Sequence, residues 1–142
     1  MAEFWLGFDW GTGWIGVACG QTQTHTATEL NPLRARNGIP SWAEIDELVI
    51  QWKPAGFVVG LPYNMDGSES EMTVRANKFR KRLHGRYGLP ANGIDERLST
   101  KEALQHINGK AMSLSKARKA KIDSIAAQII LQSWLNEQLH NL

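Results

Sequence analysis

The chain has 142 residues, 42% of them apolar, and a formal net charge of +2. That length suits one ordinary domain with a real core and excludes two full lobes. The net charge does not announce a nucleic-acid binder, but its distribution is uneven: Arg and Lys concentrate over residues 75–86 and again over 110–121. Cys19 is the single cysteine, which excludes an internal disulfide and a multi-cysteine zinc site, and in its apolar run it reads as a small core residue. No basic-then-apolar stretch marks a signal peptide, and no apolar run approaches the roughly 20 residues that span a bilayer. A soluble, cytoplasmic protein with no membrane contact is expected.

Residues 4–8 form a dense apolar run ending at Asp9, as a buried central strand does. Gly11, Gly13 and Gly16 permit a tight turn. Residues 15–20 then read as a second strand, antiparallel to the first, and residues 24–30 as a third that closes a meander. Asn-Pro, Asn-Gly and Ile-Pro predict a loop over residues 31–40. A helix opens at Ser41, where Glu44 completes a capping-box pattern. It carries Trp42, Ile45, Leu48, Val49 and Trp52 on one face and stops at Pro54. Residues 57–60 are a short buried strand and residues 61–70 a polar loop. The next helix covers about residues 71–84, with Met72, Ala76, Phe79 and Leu83 as its apolar stripe. A strand ends over residues 93–96. Ser99 and Glu102 make a second capping box, opening a short helix that stops near Asn108-Gly109. The last helix runs from about Ser115 into the C-terminus. The order β-β-β-α-β-α-β-α-α predicts an α/β fold in one domain, residues 1–142. Its mixed five-stranded sheet, a three-strand antiparallel meander plus two parallel strands, is flanked by helices on both faces.

Three acids stand where acids are expensive. Asp9 ends the most apolar strand, and Glu96, with Asp95 beside it, ends a later one. On the last helix Asp123 shares a face with Ala126, Ala127 and Ile130, so it points where the helix packs. A carboxylate facing a core costs several kcal/mol unless something positive compensates it, and no Lys or Arg shares that helix face. A divalent cation held by Asp9, Glu96 and Asp123 resolves the cost for all three. Hard oxygen ligands favour magnesium or manganese over zinc, and such ions can clamp the attacking and leaving oxygens of a phosphodiester. Each acid has a structural alternative: a turn residue for Asp9, pairing with Arg97 or Lys101 for Glu96, and a cap or a lysine partner for Asp123.

At these residues the chain resembles a known family. The stretches FDWGTGWIGVA (8–18), VVGLPYNMDGS (58–68), DERLST (95–100) and IDSIAAQIILQ (122–132) resemble, in this order and nearly end to end, the YqgF-type nucleases. These are the bacterial pre-16S rRNA nuclease family, also described as Holliday-junction resolvases. The resemblance implies a ribonuclease H-like fold and maturation of the 5′ end of 16S rRNA in ribosome biogenesis, with junction resolution as the alternative. It places the family's acidic residues on Asp9, Glu96 and Asp123. Members usually have a basic or small polar residue where Trp14 stands, and often a Lys where Gly13 stands. The basic side chains of that turn are missing here, while the acids are kept.

Further candidates surround this core. Asn64, Asp66 and Ser68 lie in the loop over residues 61–68 and would line a substrate groove, or form an ordinary polar loop. Arg97 would contact the scissile phosphate, or orient Glu96 or Asp95. Arg75, Lys78 and Arg82 fall on one arc of their helix, and Lys116 and Lys119 lie in the later basic segment; all five are candidate phosphate contacts, with a solvated charged surface as the plain alternative. Most of the six tryptophans belong to the core, although Trp10 and Trp14 flank the glycine turn where an unpaired base could stack. The four histidines show no ligand spacing. Nucleic acid is thus the expected partner, precursor rRNA or branched DNA, with ribosomal particles as a further partner. The Asp-Trp-Gly-Thr stretch also fits the first phosphate loop of sugar-kinase or actin-type ATP binders, but those need a second lobe and loop for which this chain has no room. A non-catalytic RNA-binding module that kept the fold is the remaining alternative. RNA and DNA are not separable at this level, because phosphate contacts are common to both.

Overall fold

The structure, a computed structural model, describes residues 2–98 and 122–140. In chain order it has β1 (Phe4–Asp9), β2 (Trp14–Gln21), β3 (Thr26–Arg36), β4 (Ile39–Pro40), α1 (Trp42–Trp52), β5 (Gly56–Leu61), α2 (Glu71–Tyr87), β6 (Ala91–Asp95), a single 3-10 turn (Glu96–Leu98) and α3 (Ile122–His140). The strands form one sheet in the order β4-β3-β2-β1-β5-β6. β1, β2 and β3 make the antiparallel meander, and β5 and β6 run parallel to β1. The expected short helix after residue 99, with its Ser99 and Glu102 box, and the segment containing Lys116 and Lys119 lie outside the described residues.

The sheet has six strands rather than five because residues 31–40 are not a loop. β3 continues through Asn31-Pro32 by a bulge. Ile15 pairs with Leu33 but Val17 with Leu30, so β3 carries one extra residue there. Pro32, having no N–H to offer a ladder, is tolerated at such a site. Asn37 and Gly38, at φ 48° and 81°, then turn the chain back so that Arg36 faces Ile39. Positive φ at both central residues is the signature of a two-residue hairpin turn, which Asn-Gly favours.

Helix ends also differ in detail. Ser41 is the N-cap of α1, but its side chain makes no capping bond, so the Ser41/Glu44 box is not formed. α2 has one that was not expected: Ser70 accepts from the Thr73 N–H and the Ser70 N–H donates to Thr73 Oγ1. Its buried stripe is Thr73, Ala76, Phe79 and Leu83, with Met72 left at the surface. Thr73 wins the inward position because its hydroxyl also donates to the Pro62 carbonyl at 2.6 Å. Asp46 on α1 accepts from Arg86 and from the Tyr87 hydroxyl, which hold its carboxyl down at about pKa 2 and tie α1 to α2.

Strand alternation divides the core. Leu6, Phe8, Ile15, Val17, Phe57 and Val59 pack under α1 and α2, whereas Ala18, Val58 and Ile94 pack against Ala127, Ile130 and Leu131 of α3. α3 approaches so closely that a Cβ on Gly7 would lie 2.7 Å from Leu131 Cβ. The helix is also hydrogen-bonded to the sheet. Ser124 Oγ accepts from the Val17 N–H beside the bulge, Gln128 Nε2 donates to the Ala27 carbonyl, and Gln132 Oε1 accepts from the Ala27 N–H. Three buried polar residues at four-residue spacing therefore satisfy backbone groups that the sheet ladder leaves over.

Candidate active site

Because β1, β5 and β6 are parallel, their carboxyl ends share one edge of the sheet, the place where open α/β sheets bind ligands. Asp9 is the last residue of β1. Leu6 and Phe8 of that strand face α1 and α2, and Gly7 meets α3, so alternation sends Asp9 to the α3 side. Glu96 begins the turn after β6. Its side chain lies across Gly60 of β5, where an added Cβ would come within 2.5 Å of both Glu96 Oε1 and Ile130 Cδ1. Gly60 is thus needed for the room it leaves, a role that sequence reading did not detect.

The Asp9 and Glu96 carboxyls hydrogen-bond each other. Two carboxyls placed this close disfavour each other's ionised form. Burial pushes the Glu96 carboxyl above its usual range; the bond with Asp9 pulls it down and the nearby Asp95 charge pushes it further up, with burial the largest effect. Asp123 is the second residue of α3, one turn ahead of the buried Ala127, and its side chain lies outside the described residues. Two of the three sequence-selected acids are therefore brought together, and among the described residues no group of three His, Cys, Asp or Glu side chains could hold a metal.

The other candidates fall in two places. Arg97 donates from Nε and Nη2 to Asp95 and from Nη1 to the Met65 carbonyl, clamping the loop after β5 to the end of β6. It holds the Asp95 carboxyl below its ordinary value. In that loop Ser68 donates to Asp66 through both its N–H and its hydroxyl, and Asn64 Nδ2 donates to Ser68 Oγ. Asn64, Asp66 and Ser68 thus brace an exposed turn whose Gly67 has φ 89° and which abuts Arg97. Arg75, Lys78 and Arg82 lie on the opposite face of the sheet, along α2. Trp10 is buried there, its Nε1 donating to the Gly38 carbonyl, so it offers no open face for a base, while Trp14 is exposed under Arg34. His84 bonds the Leu89 carbonyl at the far end of α2, and His25 lines a cleft with Glu3 and Trp5. Neither stands beside the acids.

Solved structures share this architecture. Thermus thermophilus RuvC in complex with Holliday junction substrate matches with a TM-score of 0.61 at 13% identity over 96% of both chains. Fowlpox virus resolvase bound to Holliday junction DNA matches with a TM-score of 0.56 at 11% identity over 96% of this chain and 99% of that one. At such identities the likeness defines the fold, which is ribonuclease H-like. Residues 3–137 match the model of the RuvX family, described as Holliday junction resolvase, and the chain belongs to that family. A Nitrosococcus oceani protein is 52% identical over 94% of this chain and 86% of its own length, and one from Pseudomonas putida is 49% identical over 92% of each. Both carry the name "Putative pre-16S rRNA nuclease". The chain is accordingly a hydrolase of the nuclease class, with nucleic acid as its partner. No helix among the described residues is long and apolar enough to cross a membrane.

Proposed function

We propose that this chain is a divalent-metal-dependent endonuclease that matures the 5′ end of 16S rRNA during ribosome biogenesis. It acts on precursor rRNA in ribosomal particles in the cytoplasm, as one nuclease domain over residues 1–142. Asp9, Glu96 and Asp123 are its metal-holding carboxylates. The observation that carries this reading is the Asp9–Glu96 pair, one carboxyl at the end of β1 and one in the turn after β6, held against each other at the sheet's carboxyl edge. A cation between them would offset the mutual repulsion of two ionised carboxylates. The donors are all carboxylate oxygens, and a carboxylate pair of this kind fits magnesium or manganese. When bound, the metal would supply Lewis-acid activation of the phosphodiester and of the attacking water. The chain's own residues do the positioning. Gly60 leaves space for the Glu96 carboxylate, and Arg97 pins the loop of Asn64, Asp66 and Ser68 along the same edge, where it forms one wall of the substrate groove.

The substrate preference follows the relatives that are about half identical to this chain and are named for pre-16S rRNA. A second reading, resolution of four-way DNA junctions, is favoured by the family description and by the junction-bound structures of the same fold. Cleavage of matched precursor rRNA and four-way junction substrates, with and without magnesium or manganese, tests both. Wild type should cut the rRNA in the presence of metal, and Asp9→Asn should be inactive yet folded. Near wild-type cutting by Asp9→Asn would refute the metal-carboxylate site.

A further inference from the structure

A cleft of about 220 Å³ opens on the face of the sheet opposite Asp9, between the β3–β4 hairpin, α1 and α2. Its walls combine Trp10, Ile39 and Trp42 with Arg75, Lys78 and Arg82. No carboxylate lines it, and among the described residues none of the three cations is in an ion pair. Three cations without an ion-pair partner, around a cleft that no carboxylate lines, give it a positive rim.

The back wall is built rather than incidental. Arg75 lies over the Trp10 ring, 4.9 Å from its centroid, and donates to both the Asn37 carbonyl and Asn37 Oδ1. Trp10 bonds the Gly38 carbonyl, and a Cβ on Gly38 would lie 2.1 Å from Trp10 Cζ2. The Gly38 N–H and the Ala35 N–H donate to the carbonyls of Thr12 and Gly13, fastening the hairpin to the turn that follows Asp9. Ile39 stands at the lip with 58% of its surface exposed.

We propose that this cleft holds one unpaired nucleotide of the nucleic-acid substrate. The base sits against Ile39 and Trp42, and its phosphates meet Lys78, Arg82 and the fixed guanidinium of Arg75. The cleft is smaller than the roughly 300–1,000 Å³ sites of drug-sized ligands, so it suits a single nucleotide and not a duplex. Asp9 and Trp10 are consecutive residues on opposite faces of the sheet. A strand crossing the sheet edge over the glycine turn can therefore place one phosphate at the carboxylates and a flanking nucleotide in the cleft. The proposal rests on nucleic acid being the substrate, and it adds that a single-stranded flank is what this face recognises.

The test is binding in EDTA, where metal-dependent cleavage is off, by fluorescence anisotropy. The probes are a blunt RNA duplex and the same duplex with a single-stranded extension. Wild type should prefer the extended probe by about tenfold, the scale of one base–aromatic contact. Ile39→Glu, at an exposed position, should bind both probes alike. Lys78→Ala with Arg82→Ala should do the same and lower the slope of log K against log salt by roughly 1.4, at about 0.7 per single-strand phosphate contact. Melting curves establish that each variant is folded. A preference unchanged in both variants overturns the proposal. So does equal loss of affinity for both probes, which would make these cations a general backbone patch. So does saturable binding of free nucleoside monophosphate with which the oligonucleotide does not compete. Asp9→Asn should keep the preference for the extension. The two claims thus fail separately, the nuclease reading through cleavage and this one through probe preference.

Discussion

Asp95 and Glu96 are consecutive, yet one carboxylate is held by Arg97 while the other is half-buried beside Asp9. Glu96→Gln should therefore lower cleavage by about 100-fold or more, the scale of removing one preorganised charged group from a site. Asp95→Asn should cost less than about tenfold, since it loosens only the Arg97 clamp. Single-turnover rates of the two variants measure this, and the reverse ranking would move the site to Asp95. Gly60→Ala separates placement from charge. The atoms that its Cβ would strike, Glu96 Oε1 and Ile130 Cδ1, are ends of flexible side chains, so the fold should yield for about 1–2 kcal/mol. The Glu96 carboxylate, however, is displaced. Activity should fall far more than thermal stability does, and a variant with full activity would show that Glu96 need not sit over β5. Asp9 is legible in the sequence because it ends the apolar run of β1, and Glu96 because an acid pair follows a predicted strand, although Glu96 itself lies in the turn just past β6. Gly60 is not, because only the fold shows that the Glu96 side chain, from the turn after β6, crosses it.

At the scale of elements, α3 carries more than its pattern of apolar residues tells. In IDSIAAQIILQ, Asp123 and the two alanines stand out by position, whereas the role of Ser124, Gln128 and Gln132 at four-residue spacing does not. A polar stripe within an apolar helix is a visible signal, but its meaning depends on β3. Ala27 presents an N–H and a carbonyl that its partner strand does not take, and the two glutamines answer them. Removing Gln132, buried and bonded also to the His25 carbonyl, leaves that N–H unsatisfied. Gln132→Ala should cost about 1–3 kcal/mol, read as a lower denaturant midpoint at unchanged m. A change below about 0.5 kcal/mol would mean that water replaces the side chain there. Residues 31–40 form strands and a hairpin instead of a loop for a related reason. Asn-Pro and Asn-Gly break regular structure by local rules, but a bulge absorbs the first and a hairpin turn uses the second. Both outcomes depend on β2 being alongside.

At the scale of the whole molecule, the alternation of strands and helices was legible because each element carries its own apolar period, and the order alone implies a mixed sheet with covered faces. What the order cannot supply is the proximity of residues 9, 60 and 96, which comes from β1, β5 and β6 lying side by side. That proximity makes the fold's stability depend on pH and metal together. Glu96 has a folded-state pKa raised above its unfolded value. Its contribution is therefore full below the unfolded pKa and is lost as pH rises through the folded one. Above that point the metal-free protein holds two ionised carboxylates in contact, and a bound divalent cation reverses the loss. A ligand present at about 100 times its Kd stabilises by about 2.7 kcal/mol, which for a domain of this size corresponds to a rise in Tm of roughly 5–10 °C. Melting of wild type with EDTA, magnesium or manganese at acid and mildly alkaline pH should show the metal-induced rise growing with pH. In Asp9→Asn, where one charge of the pair is gone, the metal-free protein should lose less stability on alkalinisation and the metal-induced rise should collapse. An equal rise in wild type and Asp9→Asn would place the cation elsewhere on the molecule.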